Sequence, residues 1–241
     1  MLEIKNLNKN FSGFQAVTDL NLKVKSGDFF SLIGPNGSGK TTIIKNILGL
    51  LRPSSGDIFV EGSSIKNSAL KAKRQMAYIP DEPSVWNHIT GEEFLYFSAA
   101  LYGMKKEEVA KKISKLLQYF SLQGIEKKYF ENYSRGNKQK FTILAALLHD
   151  PKLILVDEPI VGLDPQSAEI AMKLFSTFVK NGGTIFMTTH ALEVAEKYSS
   201  QIGILYKGRL LANDTLTNLR NKIKQPTASL SEIYFNFTQN D

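Results

Sequence analysis

The sequence predicts an α/β fold built on a phosphate-binding loop, joined to an antiparallel β section and interrupted by a helical insertion. Three stretches carry this prediction. The apolar run Phe29 to Ile33 reads as a buried strand, leads into the glycine-rich Gly34-Pro35-Asn36-Gly37-Ser38-Gly39-Lys40-Thr41-Thr42, and opens into a helix over 41–50. Upstream, Leu2, Ile4 and Leu7, then Leu20, Leu22 and Val24, alternate in short apolar steps around Ser12-Gly13, as antiparallel strands joined by a turn do. Between Thr90 and Phe130 the pattern changes to helical.

Taken in order, Ser26-Gly27-Asp28 turns the chain into the strand before the loop, and Pro53-Ser54-Ser55-Gly56 breaks it after the first helix. Asp57 to Val60 is a further strand, turned by Glu61-Gly62. Met76 to Ile79 is a short apolar run ending at Pro80, and the loop behind it, Asp81-Glu82-Pro83-Ser84, carries two carboxylates. Thr90 with Glu93 three residues on forms a capping box ahead of Phe94, Phe97 and Leu101, in a helix that Gly103 ends. The next helix sets Val109, Ile113, Leu116, Leu117 and Phe120 on one face, with Glu107 and Glu108 four residues before Lys111 and Lys112. Its many lysines read first as a solvated face and second as a surface for anionic lipid or a partner.

Lys152 to Val156 is a continuous apolar strand that ends in Asp157-Glu158-Pro159. Gly162-Leu163-Asp164-Pro165 then starts a helix, with Asp164 as cap and Pro165 in the first turn. Thr184 to Thr189 is a buried strand ending at His190, and Gln201 to Tyr206 with Leu210-Leu211 read as closing strands. From Thr215 the chain is polar with weak helical signals, Ser229 with Glu232 among them.

A content of 42% hydrophobic and 22% charged residues places the chain among folded proteins with a sizeable core and against disorder. The absence of cysteine excludes disulfides and thiolate metal sites. The N-terminus lacks the apolar centre of a signal peptide, and the best apolar runs, such as Phe141 to Leu148, are far too short to cross a bilayer. A formal charge of +7, from 30 Lys plus Arg against 23 Asp plus Glu, fits nucleic acid, an anionic membrane surface or a solvated basic face.

The chemistry lies in a constellation. Glycines in the loop let backbone N–H groups wrap a polyphosphate, Lys40 adds a point charge near its outer phosphates, and the Thr41 hydroxyl suits Mg²⁺. The helix behind the loop aims unpaired N–H groups and its positive dipole end at the same anion. Downstream, an acidic pair ends a buried strand: Asp157 suits Mg²⁺ through its water shell, and Glu158 is placed to orient or deprotonate a water attacking a γ-phosphate. His190 falls at the same sheet edge, where ligands sit in open α/β folds. Phe11 reads equally as a base-stacking ring or a core aromatic. His88 and His149 read as structural.

These residues resemble the ATP-binding subunits of ABC transporters, from Leu2 to about Asp214. The loop is similar to Walker A, Leu153 to Glu158 to Walker B, Tyr133-Ser134-Arg135-Gly136-Asn137 to the signature sequence, and Gly162-Leu163-Asp164 to the D-loop. His190 matches the switch histidine, Phe11 the aromatic A-loop, and Asp81 stands where the Q-loop glutamine belongs. The resemblance implies the ABC ATPase fold, a P-loop NTPase with a RecA-like core, as one domain over 1–214 with a helical subdomain at about 86–148 and a tail over 215–241. It implies ATP hydrolysis with Mg²⁺ at Thr41, Asp81 and Asp157. Ser134 and Gly136 would bind the γ-phosphate of ATP held by an opposite subunit, identical or related, in a head-to-tail dimer.

Asp81 for glutamine, Arg135 for the first signature glycine and Asn137 for glutamine or methionine depart from the family pattern. Tyr-Ser-x-Gly-x-Lys-Gln-Lys with an acidic Q-loop looks like the ATPases of drug, antibiotic, peptide or ion exporters. The expected role is therefore to power a separate integral membrane permease, with no nucleic acid partner, from the cytoplasmic face of the cell membrane. Trp86 reads as a docking aromatic for that permease or as a subdomain core residue. The alternatives are a cassette without permease, such as an iron–sulfur cluster assembly ATPase, and a binding-only module with degraded chemistry.

Overall fold

The computed structural model describes residues 1–239. In chain order these form β1 (Leu2–Phe11), β2 (Phe14–Val24), β3 (Phe29–Ile33), α1 (Lys40–Ile47), β4 (Ser55–Val60), β5 (Ser63–Ser64), α2 (Ala69–Lys73) and β6 (Met76–Ile79). The helical insertion follows as α3 (Gly91–Leu101), α4 (Lys106–Tyr119) and α5 (Arg135–Leu148). The chain continues through β7 (Leu153–Asp157), α6 (Pro165–Lys180), β8 (Thr184–Thr189), α7 (Leu192–Tyr198), β9 (Gln201–Tyr206), β10 (Arg209–Asp214), α8 (Leu216–Lys222) and α9 (Leu230–Gln239).

Among the described residues two sheets divide the strands, in the orders β2-β1-β4-β5 and β10-β9-β3-β8-β7-β6. The first is antiparallel, with Leu2 opposite Val24, Ile4 opposite Leu22 and Leu7 opposite Leu20, as the alternation predicts. In the second, β6, β7, β8, β3 and β9 run parallel and β10 returns antiparallel. Strands β3, β7 and β8 have no exposed residue. That is why β3 and β7 read as apolar runs and β8 as a buried strand: both faces of a parallel sheet are covered.

Their period of two sorts the core. Ile154, Val156, Ile185 and Met187 pack with Phe141, Leu144, Met172 and Phe175 of the helical layer. Leu153, Leu155, Phe30, Leu32 and Phe186 pack with α1 (Ile43, Ile44, Ile47) and the inner face of the antiparallel sheet. Each parallel strand therefore ends toward the same edge, held between two layers, and the loops after β3, β7 and β8 meet there.

The capping box at Thr90 is present, with the Glu93 amide 3.2 Å from the Thr90 hydroxyl and the Thr90 amide donating to the Glu93 carboxylate at 2.7 Å. Val109, Ile113 and Leu117 are the buried face of α4. Ser134 caps α5 through the Asn137 amide, and Asp164 caps α6 through the Ser167 amide at 2.9 Å. His149 is structural, as expected: its ring stacks on Tyr102 at 3.4 Å and faces the Met76 carbonyl at 3.2 Å. His88 pairs at the surface with Glu131.

The segment after Asp214 is more ordered than its polar sequence suggests. Leu219, Leu230 and Ile233 are fully buried against Ile33, Ala195, Ile202 and Ile204, and Glu196 of α7 ties α8 and α9 together by pairing with Arg220 at 3.0 Å and accepting from the Leu230 amide at 3.0 Å. The Ser229 and Glu232 signal is a reciprocal cap at the start of α9.

Candidate nucleotide site

The phosphate loop lies between the end of β3 and the start of α1. Gly39 caps that helix at φ 107, a backbone conformation natural to glycine. A Cβ there would stand 2.6 Å from the Ala16 carbonyl of β2, so the loop closes against the antiparallel sheet. No side chain caps α1, which leaves its first amides directed at an incoming anion. Lys40 is 6% exposed and donates to the Gly34 and Pro35 carbonyls at 2.8 and 3.1 Å. Burial holds its ammonium below the usual lysine range, partly offset by Glu158 and Asp157. Ser38 is fixed through its backbone, its amide on the Pro35 carbonyl and its own carbonyl accepting from the Gly208 amide. Its buried hydroxyl has no hydrogen-bond partner among the described residues.

At the end of β7, Asp157 is 3% exposed and accepts from the Thr188 hydroxyl of β8. Glu158 is the first residue beyond the strand and takes φ 48, a left-handed conformation costly for a side chain of this kind. Its amide donates to the Thr188 carbonyl at 3.0 Å, which turns the carboxylate back along the sheet edge. There Oε1 lies 2.8 Å from Nδ1 of His190, and Oε2 accepts from the Thr189 hydroxyl at 3.2 Å and the His190 amide at 3.4 Å. An Nδ1–H bonded to a carboxylate leaves Nε2 as the outward nitrogen. Glu158 is thus held from two residues of β8 and the residue after it, the arrangement of an oriented base.

A cleft of about 310 Å³ joins these parts, lined by Phe11, Phe14, Ala16, Asn36, Gly37, Gly39, Lys40, Thr41, Thr42, Asp81, Asp157 and Glu158. Larger hollows elsewhere, of about 590 and 690 Å³, lack any such convergence of phosphate loop and carboxylates. Gly34, Pro35 and Ser38 stand behind the lining and shape the loop from its base. His190 reaches the cleft through Glu158. Beside them, the Tyr78 hydroxyl of β6 is pushed up to about 12, by burial first and then by the negative charges of Asp157 and Asp81.

Phe11 proves to be a mouth residue rather than a core aromatic: it is 41% exposed, with the Lys9 ammonium 4.7 Å from its ring centre. Phe14, its cross-strand partner over the Ser12-Gly13 turn, is 65% exposed on the same cleft. Sequence reasoning missed Phe14 and Ala16. The signal was the hairpin itself, which returns Phe14 to the level of Phe11.

Ser134 and Gly136 do not join the cleft. They form the first turn of α5, with the Ser134 hydroxyl on the Asn137 amide at 3.2 Å. A Cβ at Gly136 would lie 2.9 Å from the Gly162 carbonyl, so the signature turn and the loop before α6 touch through backbone. Trp86 is 60% exposed and packs edge-on against Phe97 at 5.1 Å, at the surface rather than in the subdomain core.

Residues fit the polyphosphate part of a nucleotide: a glycine-shaped loop, an uncapped helix start, a buried lysine and an unpartnered serine hydroxyl. For a metal, no group of three or more acidic, histidine or cysteine side chains is placed to hold one among the described residues. Thr41, Asp157 and Asp81, which all line the cleft, suit a Mg²⁺ that takes its remaining ligands from phosphate and water.

Comparison with known proteins agrees with this chemistry. A family model described as ABC transporter matches residues 17–161, more than half of the chain. The chain is 32% identical over 241 residues to the ABC-type transporter ATP-binding protein EcsA of Bacillus subtilis, covering 100% of this chain and 98% of EcsA. It is 33% identical to the probable multidrug ABC transporter ATP-binding protein YbhF of Escherichia coli, over 97% of this chain but only 41% of YbhF. Among solved structures, an ATP-binding subunit of an ABC transporter superposes with a TM-score of 0.95 at 34% identity, over 99% of both chains. The dimeric post-hydrolysis state of the ATP-binding cassette MJ0796, bound to ADP and Pi, superposes with a TM-score of 0.83 at 25% identity, over 90% of this chain and 99% of that one. With the phosphate loop, the Asp157-Glu158 strand end and the α/β frame in place, the chain belongs to the ABC transporter family as one of its ATP-binding, ATP-hydrolysing subunits.

Proposed function

We propose that this subunit powers a separate membrane permease, in export, by head-to-tail closure of two cassettes around two nucleotides. The observation that carries the reading is the separation of Ser134 and Gly136 from the chain's own cleft. They sit exposed or half-exposed at a helix start that faces none of this chain's phosphate loop, as residues serving a second copy's nucleotide would. YbhF, a multidrug transporter subunit by name, and the dimeric form of MJ0796 lend the export and dimer readings support.

In this reading the loop amides and Lys40 hold the β- and γ-phosphates, and Phe11 lies against the base. Mg²⁺, when bound, neutralises phosphate charge; Thr41, Asp157 and Asp81 are the groups that face it. Glu158 orients the attacking water and takes its proton, while His190 keeps the carboxylate aimed. The exposed pair Trp86 and Phe97, beside the loop at Asp81, is the docking surface for apolar helices of the permease. Pairing with such a permease puts the place of work at the inner membrane face; no helix among the described residues is long and apolar enough to cross a membrane.

The test is ATP turnover and size exclusion on the wild type and Glu158→Gln. Turnover falls by about 10²–10⁴-fold in Glu158→Gln, the usual worth of a general base, and with Mg-ATP this variant elutes as a dimer. Equal turnover removes Glu158 from the catalytic role, and a persistent monomer refutes the closed pair. Trp86→Ala and wild type retaining the permease equally in a pull-down removes Trp86 from the docking surface.

A further inference from the structure

Of the three carboxylates in the cleft, two are nearly buried and fixed by neighbours of their own sheet edge, Asp157 by Thr188 and Glu158 by Thr189 and His190. Asp81 differs. Its side chain is 50% exposed, and Nη2 of Arg135 stands 3.4 Å from both its Oδ1 and its carbonyl oxygen. The two residues are 54 positions apart: one lies in the loop after β6, the other in the first turn of α5 between Ser134 and Gly136.

The surroundings make this contact a junction. The stem of Arg135 lies over Gly162, where a Cβ would come within 3.0 Å of its Cδ and Nε, and the Gly162 carbonyl closes on Gly136. One turn further along α5 the fully buried Gln139 donates to the Pro80 carbonyl at 3.1 Å. So α5 meets the acidic loop twice. The Gln139 contact is internal and fixed, whereas the Arg135 contact is a half-exposed ion pair of long geometry, the kind worth little and exchanged readily.

We propose that Arg135 is the exchangeable counter-ion of Asp81: it pairs with Asp81 in the empty cleft and yields that carboxylate to the divalent cation of an arriving nucleotide. A carboxylate among phosphates repels a metal-free nucleotide and attracts a metal-bound one, so its charge has to be compensated until the cation arrives. Arg135 supplies that compensation from the helix turn that carries Ser134 and Gly136. Filling the cleft then releases a guanidinium, with its planar fork of donors suited to phosphate, on the surface turned to a second copy. Arg135 acts here as a positioning residue, through Asp81, and not in the chemical step.

The inference rests on the reading of the cleft as an ATP site, and calorimetry on the dilute single chain separates the two. Affinities for Mg-ATP and for ATP in EDTA are measured in the wild type, Arg135→Gln, Asp81→Asn and the double variant. Both side chains are half exposed, so all four chains keep the fold. In Arg135→Gln the ratio of Mg-ATP to metal-free affinity rises about two- to five-fold, the range of an exposed ion pair. The double variant shows the ratio of Asp81→Asn alone. An unchanged ratio in Arg135→Gln, or an equal shift from that substitution in the Asp81→Asn background, overturns the exchange while leaving the ATP site standing. A wild type that binds neither form of ATP overturns the site reading and the exchange together.

Discussion

Replacing Gly39 by alanine tests whether the phosphate loop is shaped by its contact with the antiparallel sheet or only by glycine's backbone freedom. Gly37 is the control within the same loop. Both have positive φ, 79 at Gly37 and 107 at Gly39, but a Cβ at Gly37 meets nothing within 4 Å while one at Gly39 lies 2.6 Å from the Ala16 carbonyl. The backbone term alone costs about 1–2 kcal/mol for a non-glycine residue. At Gly39 an ordinary contact of about 3.4 Å requires α1 and β2 to part by roughly 0.8 Å, and overpacking of that order adds about 1–3 kcal/mol. Gly37→Ala should therefore lose about 1–2 kcal/mol and Gly39→Ala about 2–5 kcal/mol. Urea unfolding followed by circular dichroism reads both, with the same slope expected in each. Losses equal within about 0.5 kcal/mol would refute the steric argument and leave backbone conformation as the whole reason for Gly39.

At the mouth, Phe11→Ala weakens ATP binding by about 1–3 kcal/mol, as a stacked base does, and Phe14→Ala by about half of that, both by calorimetry. Inorganic triphosphate binds all three chains alike, and a parallel loss there would take the rings out of base recognition. At the start of α6, the hydrogen bonds from the Ser167 hydroxyl and amide hold the Asp164 carboxyl at about 2, below its ordinary 3.8. Because the folded value is the depressed one, this cap contributes fully above about pH 4 and is lost as pH falls through 2. Ser167→Ala moves the Asp164 titration upward by NMR, and its stability deficit against wild type closes toward pH 2; a deficit independent of pH would contradict the assignment.

What the sequence reveals and what it conceals follow the range of the interaction. The strand, loop and helix around Lys40 were legible because strand burial, glycine placement and helix start lie within about twenty neighbouring residues. The same is true of the Thr90 and Glu93 cap and of Asp164 with Pro165. Contacts across the fold were not legible. Phe14 becomes a cleft residue only through the β1 and β2 register, and Ala16 meets Gly39 only because the antiparallel sheet folds over the loop. Of the two helices after Asp214, α8 offers only Leu216 and Leu219 as apolar positions, and both helices are fixed because Ile33, Ile202 and Ile204 present a ready face to Leu219, Leu230 and Ile233. The left-handed Glu158 has no local signal either, since glycine rather than glutamate is the residue that announces positive φ.

The charged groups of the cleft share one property that ties the site together. Lys40 is held by the Gly34 and Pro35 carbonyls, Glu158 by His190 and Thr189, and Asp81 by Arg135, so each has a partner inside the chain. In the proposed exchange a nucleotide displaces the partners of Lys40 and Asp81 to gain contacts of its own. Each displacement subtracts from binding and simultaneously moves the element that supplied the partner: the loop itself in one case, the first turn of α5 in the other. The Glu158 pairing lies behind these, nearly buried, and needs no release for phosphate to bind. In the proposed exchange, nucleotide entry rearranges the first turn of α5 around Ser134 and Gly136 without disturbing the base, which is consistent with the proposed closure on a second copy coming before hydrolysis.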